Sequence, residues 1–97
     1  MKALFISYNQ AYGEEIVGVL EANGQRGYTR WEDIRGRGHV DGLPHMGNHA
    51  WPAMNAGLLA VVPDEKVAPV LEQLRAKDSQ TPGLGLRAFV WNVEDMI

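Results

Sequence analysis

A glycine-, proline- and histidine-rich stretch divides this chain into two halves, and this division most constrains the fold. The stretch runs from Arg35 to Asn55. On each side of it, the sequence predicts a strand, a helix and a second strand. A loop this long in a short chain costs backbone entropy and buries little apolar surface, so we expect it to have a function.

The first half begins with an apolar, weakly alternating segment, Lys2 to Tyr8, which predicts a strand. Apolar residues then recur at helical spacing from about Ala11 to Asn23. Glu14 and Glu15 favour the start of that helix. Gly27 to Ile34 contains β-branched and aromatic residues and predicts the second strand.

The second half repeats this order. The continuous apolar run from Ala56 to Val62 predicts a buried strand, and a helix is expected from Pro63 to about Lys77. Pro69 lacks an N–H group and should start or kink that helix near its position. Leu86 to Val93 predicts the last strand, with Arg87, Phe89, Trp91 and Val93 on one face and Leu86, Ala88, Val90 and Asn92 on the other.

The order strand, helix, strand, loop, strand, helix, strand is typical of an α+β fold of the ferredoxin-like βαββαβ type. The prediction is one domain, residues 1–97, with two helices on one face of a four-stranded antiparallel sheet. Large apolar side chains occupy both faces of the last strand. We therefore expect the sheet face without helices to be buried between subunits.

Composition excludes several classes of function. The chain has no cysteine, which removes disulfides, thiolate metal sites and thiol catalysis and fits a cytoplasmic protein. The formal net charge of −3 argues against general nucleic-acid binding. No apolar run approaches the length that a bilayer requires, so no membrane insertion is expected. The segment after Met1 reads as a core strand and not as a signal peptide.

All histidines of the chain lie in the dividing loop. His45 and His49 are four residues apart, so one helical turn would place both imidazoles on the same side. Imidazole suits copper, zinc and nickel, and the thioether of Met46 favours Cu(I). His39 could complete a metal site. The alternative is that these imidazoles hydrogen-bond within the loop or meet solvent.

Two glycine stretches could present backbone N–H groups to an anion, with an arginine beside each as charge partner. The alternative is that the glycines form tight turns that need positive φ. Trp51 lies within the loop before a proline and is a candidate contact for a ligand or a partner protein. The predicted effector-binding residues are Gly36, Arg37, Gly38, Gly83, Gly85 and Arg87.

Three segments resemble the PII signal-transduction (nitrogen regulatory protein P-II-like) superfamily. Asp33 to His39 resembles the stretch that leads from the second PII strand into its T-loop. Leu58 to Glu65 resembles the third strand and the Val-Pro-Asp-Asp step into the second helix. Pro82 to Val90 resembles the B-loop and the fourth strand, with Arg87 in the place of the phosphate-binding lysine. The chain is similar to a divergent member of this superfamily.

The resemblance implies a ferredoxin-like homotrimer. Its T-loop, here about residues 35–55, would contact a target protein, such as a membrane transporter. The clefts between subunits of the family hold small effectors, often adenine nucleotides. Some PII-like proteins are linked to metal homeostasis. The main hypothesis is therefore a sensor that binds copper, zinc or nickel through its loop and signals to a partner; the alternative is a regulator that binds an adenine nucleotide or another anionic effector.

A small enzyme is the third hypothesis. Some ferredoxin-like proteins are cofactor-free enzymes that use a histidine near the sheet, and His45 or His49 could serve as the base. The sequence shows no Ser-His-Asp order, no paired catalytic carboxylates and no nucleophile motif. We therefore expect a binding protein and not an enzyme.

Overall fold

The structure is a computed structural model and describes residues 1–35 and 54–97. Four strands form one sheet in the order β2-β3-β1-β4. Strand β1 pairs antiparallel with both β3 and β4, and β2 pairs antiparallel with β3. The strands are β1 (Lys2–Asn9), β2 (Thr29–Ile34), β3 (Asn55–Val62) and β4 (Arg87–Asn92).

Each half contains one α-helix, which connects its two strands. Helix α1 (Gly13–Ala22) follows a short 3-10 turn, Gln10–Tyr12, and has two glutamates in its first turn. Helix α2 (Asp64–Gln80) begins directly after Pro63. Pro69 lies inside α2, so the helix neither starts nor ends at this proline.

The core lies between the helices and one face of the sheet. Every second side chain is buried from Leu4 to Tyr8 in β1 and from Ala56 to Val62 in β3, as expected for strands with one face against helices. The apolar stripes of both helices pack on that face. The core residues of the two helices are Ile16, Val17, Val19 and Leu20 of α1 and Val70 and Leu74 of α2.

No helix of residues 1–35 or 54–97 covers the other face of the sheet, which is rich in apolar side chains. Phe5 lies opposite Leu59 on one side and Phe89 on the other. A Cβ atom on Gly57 would lie 3.2 Å from Cζ of Phe5, so glycine leaves room for that ring over β3. Three aromatic side chains of this open face are about half exposed: Trp31 (45%), Phe89 (55%) and Trp91 (51%).

The predicted fold class is confirmed, and the strand and helix boundaries agree within a few residues. Helix α2 extends three residues beyond the expected end, to Gln80. Strand β2 begins at Thr29 and not at Gly27. In the part of the chain that the structure describes, no helix is both long and apolar enough to cross a membrane. The predicted trimer is not tested by a single chain.

Candidate functional site

One end of the sheet brings the described candidate residues together. Because adjacent strands are antiparallel, β1 and β2 end at the same end of the sheet at which β3 and β4 begin. The connection that precedes β4, residues 81–86, therefore lies beside Asn9 and Gln10. The dividing loop leaves and rejoins the sheet at this same end, through Arg35 and Met54.

The segment before β4 is a turn with two left-handed glycines, which we call the glycine turn (residues 81–86). Gly83 has φ +86° and Gly85 has φ +62°, a region that favours glycine. The side chain of Leu84 between them is buried in the core. The amide of Leu84 donates to the carbonyl of Thr81 at 3.2 Å. A buried anchor and an internal hydrogen bond thus fix the turn.

Asn9 donates hydrogen bonds to the two carbonyl groups at the centre of the turn, those of Gly83 and Leu84. Its backbone amide donates to the Leu84 carbonyl at 2.7 Å, and its side-chain Nδ2 donates to the Gly83 carbonyl at 3.2 Å. Its Oδ1 accepts the amide of Ala11 at 3.0 Å, which caps the 3-10 turn. One side chain therefore connects the glycine turn to the start of the first helical segment.

The amide groups of the two glycines have no acceptor among the described residues. Within residues 1–35 and 54–97, neither Gly83 nor Gly85 donates its N–H to an acceptor. Gly85 is buried, and a buried backbone amide is normally hydrogen-bonded. The two amides flank that of Leu84, which is bonded to Thr81, and backbone N–H groups of turns can bind anions.

Arg87 begins β4 directly after the glycine turn and is exposed. Its Nη1 donates to the carbonyl of Leu86 at 3.0 Å, and the guanidinium makes a further interaction. On the open face, its neighbour in β1 is Ser7. Ser7 Oγ accepts from Asn55 Nδ2 at 2.8 Å. The sequence thus places a positively charged residue two positions after Gly85, with its guanidinium bonded to the carbonyl of Leu86.

Gln10 and Asp33 form a reciprocal pair at the end of β2. Gln10 Nε2 donates to Asp33 Oδ1 at 3.0 Å, and the Asp33 amide donates to Gln10 Oε1. Asp33 has φ +58°, which non-glycine residues rarely adopt, and the register of β2 with β3 shifts there. The Gln10 amide also donates to the carbonyl of Met54 at 2.9 Å. Gln10 thereby joins both chain segments that flank the dividing loop.

Sequence reasoning missed Asn9, Gln10 and Asp33. The only signal for them was that an asparagine follows an apolar strand and precedes a helix, the pattern of a helix-capping residue. The Gln10–Asp33 pair joins residues 23 positions apart. Such a pairing depends on strand order and has no local sequence signature.

A second polar cluster lies where β2 meets α1. The Arg30 guanidinium is 3.9 Å from Glu14 and 3.6 Å from Glu32. The hydroxyl of Tyr8 is buried beside it and has no hydrogen-bond partner among the described residues. Burial raises the pKa of the Tyr8 phenol, and the positive charge of Arg30 opposes that rise.

The structure brings three of the predicted effector-binding residues together, namely Gly83, Gly85 and Arg87. In the sequence, the first glycine stretch follows β2 and the second precedes β4, and these are the outer strands of the sheet. Three strand spacings, roughly 14 Å, separate the outer strands. The remaining predicted site residues lie outside the described part of the chain: Gly36, Arg37, Gly38, His39, His45, Met46, His49 and Trp51.

The metal hypothesis is not tested by the described residues, because every histidine lies outside them. Among residues 1–35 and 54–97, no group of three or more His, Cys, Asp or Glu side chains could hold a metal ion. The predicted copper, zinc or nickel site therefore stays a prediction with no support from this part of the molecule.

Comparison with a family model and with solved structures identifies P-II-like proteins in both cases. The family model of the nitrogen regulatory protein P-II matches residues 1–97. The structure of CPII from Thiomonas intermedia K12 bound to ADP and bicarbonate is 26% identical, with a TM-score of 0.73, covering 97% of this chain and 88% of that chain. No functionally curated protein matches the sequence.

Two further structures share the fold. The apo form of the same CPII is 23% identical, with a TM-score of 0.72, covering 93% of this chain and 85% of that chain. A PII-like signaling protein from Thermus thermophilus is 24% identical, with a TM-score of 0.66, covering 95% of this chain and 84% of that chain. At this level of identity, the likeness to these two structures concerns the fold alone.

Proposed function

The chain belongs to the nitrogen regulatory protein P-II family, and from that premise we propose that it is a regulatory protein that binds an adenine nucleotide. The nucleotide phosphates would contact the glycine turn and Arg87. The observation that carries the proposal is the pair of left-handed glycines whose N–H groups have no acceptor in the described part of the chain.

The comparisons support this alternative better than the metal hypothesis. The 26% identical CPII is bound to ADP and bicarbonate, and a second structure of CPII holds ADP, AMP and bicarbonate. An adenine nucleotide is therefore the leading candidate for the effector of this chain.

The chemistry of the turn suits a phosphate. Backbone N–H groups can donate hydrogen bonds to phosphate oxygens. The Arg87 guanidinium adds planar donors that carry a permanent positive charge. The turn is preorganised, because Asn9 already bonds the carbonyl groups of Gly83 and Leu84. A preorganised site loses less entropy when it binds a ligand.

The proposal also includes the oligomeric state of the protein. We propose a cytoplasmic homotrimer in which the open sheet face is covered and the nucleotide lies between subunits. The half-exposed Trp31, Phe89 and Trp91 support a covered face, because large apolar patches usually mark an interface. Gly36, Arg37 and Gly38 would supply the second half of the effector site. Residues 35–55, with Trp51, would contact a target protein.

Calorimetric titration of ADP into the full-length protein tests this function. The wild type should bind, and Arg87→Ala should weaken binding about tenfold or more, as expected for loss of a charge-assisted hydrogen bond. Lys77→Ala is the matched control, since it removes a positive charge from the groove between α1 and α2. Its ADP affinity should equal that of the wild type.

Calorimetric titration also distinguishes the nucleotide proposal from the metal hypothesis. Copper, zinc and nickel salts are titrated into the wild type and into a His45→Ala, His49→Ala double variant. Absence of ADP binding at millimolar concentration would overturn the nucleotide proposal. Tight metal binding that the double variant loses would then restore the metal sensor as the leading interpretation.

A further inference from the structure

The Asn9–Gln10 dipeptide contacts every described segment around the candidate site. Asn9 bonds the glycine turn through the carbonyls of Gly83 and Leu84. Gln10 bonds Asp33 at the end of β2 and Met54 before β3. Two consecutive residues thus connect the two outer edges of the sheet at one end.

Strand order explains why this connection matters. Strands β2 and β4 are the outer strands, with β3 and β1 between them, so they share no backbone hydrogen bonds. Within one subunit, the glycine turn and the end of β2 are therefore not linked by the β-sheet hydrogen bonds of adjacent strands. Asn9 and Gln10 extend from the end of β1 and contact segments on both sides, which places them between the turn and the end of β2.

Asp33 is the residue whose position most needs such support. Its left-handed backbone and the register shift beside it interrupt the β pairing at Asp33, between the Trp31–Gly57 and Ile34–Asn55 pairs. The Gln10 side chain accepts the Asp33 amide and donates to the Asp33 carboxylate, so it fixes both the backbone and the side chain. Two residues later the chain leaves the described region.

We propose that Asn9 and Gln10 are positioning residues of the effector site. They hold the glycine turn and the end of β2 in one fixed arrangement, with the Gln10–Asp33 pair as the critical bond. The inference rests on the proposed function for its ligand readout. It also makes a claim about the free protein, namely that Gln10 fixes Asp33 without any ligand.

An exchange of the two side-chain functions tests the pair. Gln10→Glu places two carboxylates against each other and removes the donor. Asp33→Asn keeps an acceptor, and asparagine tolerates a left-handed backbone. In the Gln10→Glu, Asp33→Asn double variant, the new carboxylate at position 10 accepts from both the side chain and the backbone amide at position 33. The backbone bond keeps its direction, the side-chain bond is restored with its direction reversed, and the charge moves to the other partner.

Two readouts are measured on each variant: ADP affinity by calorimetry and hydrogen exchange of the residue-33 amide in ligand-free protein by NMR. Gln10→Glu should weaken ADP binding and accelerate that exchange, each by about tenfold, the value of one or two hydrogen bonds. Asp33→Asn should stay within about threefold of wild type. The double variant should recover both quantities. Gln80→Glu, at the exposed end of α2, controls for added charge and should change neither.

The outcomes separate the two proposals. If the wild type binds no ADP but exchange follows the expected order, the nucleotide function fails and the positioning of Asp33 by Gln10 stands. If ADP binds and Gln10→Glu changes neither readout, the positioning role is overturned while the nucleotide function stands. Failure of the double variant to recover exchange also overturns the pair.

Discussion

At the scale of single residues, Tyr8 has a buried hydroxyl group that lacks a hydrogen bond to any described residue. Its ring fills the core between β1 and α1, and its side chain is fully buried. Its hydroxyl has no partner in the described part of the chain. A buried hydroxyl without a hydrogen bond costs about 1–3 kcal/mol relative to its hydrated state.

We predict that Tyr8→Phe increases the free energy of unfolding by about 1 kcal/mol, because it removes that cost and keeps the ring. Urea denaturation at neutral pH measures it. Tyr28→Phe is the control, since Tyr28 is 39% exposed and loss of its hydroxyl should leave stability unchanged. A loss of stability in Tyr8→Phe would show that the hydroxyl is bonded.

The pH dependence of stability follows from the same residue. Burial raises the pKa of Tyr8 in the folded state above its unfolded value of about 10. The folded protein therefore holds this proton more tightly, so the contribution is present below pH 10 and is lost as pH rises through the folded pKa. Tyr8→Phe should lose less stability than the wild type between about pH 9 and pH 11.

Sequence reasoning identified two glycines with a left-handed backbone but missed Asp33. Gly83 and Gly85 were assigned either to a tight turn or to an anion site, and their left-handed φ angles confirm the turn. Asn9, Gln10 and Asp33 were missed because their bonds join residues that are distant in sequence. Asp33 in particular has a conformation that its residue type does not demand, so only the tertiary pairing with Gln10 accounts for it.

At the level of elements, apolar patterns were enough to find every strand and helix except β2, because one face of each of those elements packs on the core. Strand β2 was found from its β-branched and aromatic residues and begins two residues later than expected. None of its six positions is fully buried, and its pairing with β3 shifts after Trp31. An edge strand with little burial carries a weak sequence pattern.

Helix α2 shows how tertiary packing overrides local propensity. Pro69 cannot donate to the carbonyl of Glu65, yet the helix runs on from Asp64 to Gln80. Val70 and Leu74 are buried just beyond the proline, so their packing stabilises the helix against the loss of that bond. The sequence alone gives no measure of this compensation, and it therefore suggested a start or a kink at the proline.

We predict that Pro69→Ala increases the free energy of unfolding by about 1 kcal/mol or more. Alanine restores the missing hydrogen bond, and part of the gain is offset because proline also restricts the unfolded chain. Thermal and urea denaturation provide the measurement. Ala76→Pro is the reciprocal test at an exposed position of the same helix and should cost about 3 kcal/mol. Equal stability of Pro69→Ala and wild type would mean that the proline fits α2 without penalty.

At the level of the whole molecule, the order of elements predicted the βαββαβ sandwich because two strand–helix–strand units have few ways to share one sheet. The contents of the effector site were harder to predict. The glycine turn lies beside β4, whereas the end of β2 lies at the opposite edge of the sheet. A single ligand could contact both only if it spans the end of the sheet or lies between subunits, and neither arrangement has a local sequence signature.

The last prediction concerns that assembly. The open sheet face exposes Trp31, Phe89 and Trp91, and Phe89 lies beside Phe5 near the middle of β4. Phe89→Glu places a charge on this face, where burial against another subunit would cost several kcal/mol. It should convert the trimer to a folded monomer in size-exclusion chromatography with light scattering. ADP affinity should fall with it, if the nucleotide site spans two subunits.

The matched control is Ala68→Glu, which adds the same charge on the exposed surface of α2. It should remain trimeric and bind ADP as the wild type does. Circular dichroism of Phe89→Glu separates dissociation from unfolding, because Phe89 is 55% exposed within one subunit and contributes little to the core. A wild type that is monomeric at micromolar concentration would overturn the trimer. A Phe89→Glu variant that stays trimeric would place the subunit contacts on another surface and leave the aromatic face to a different partner.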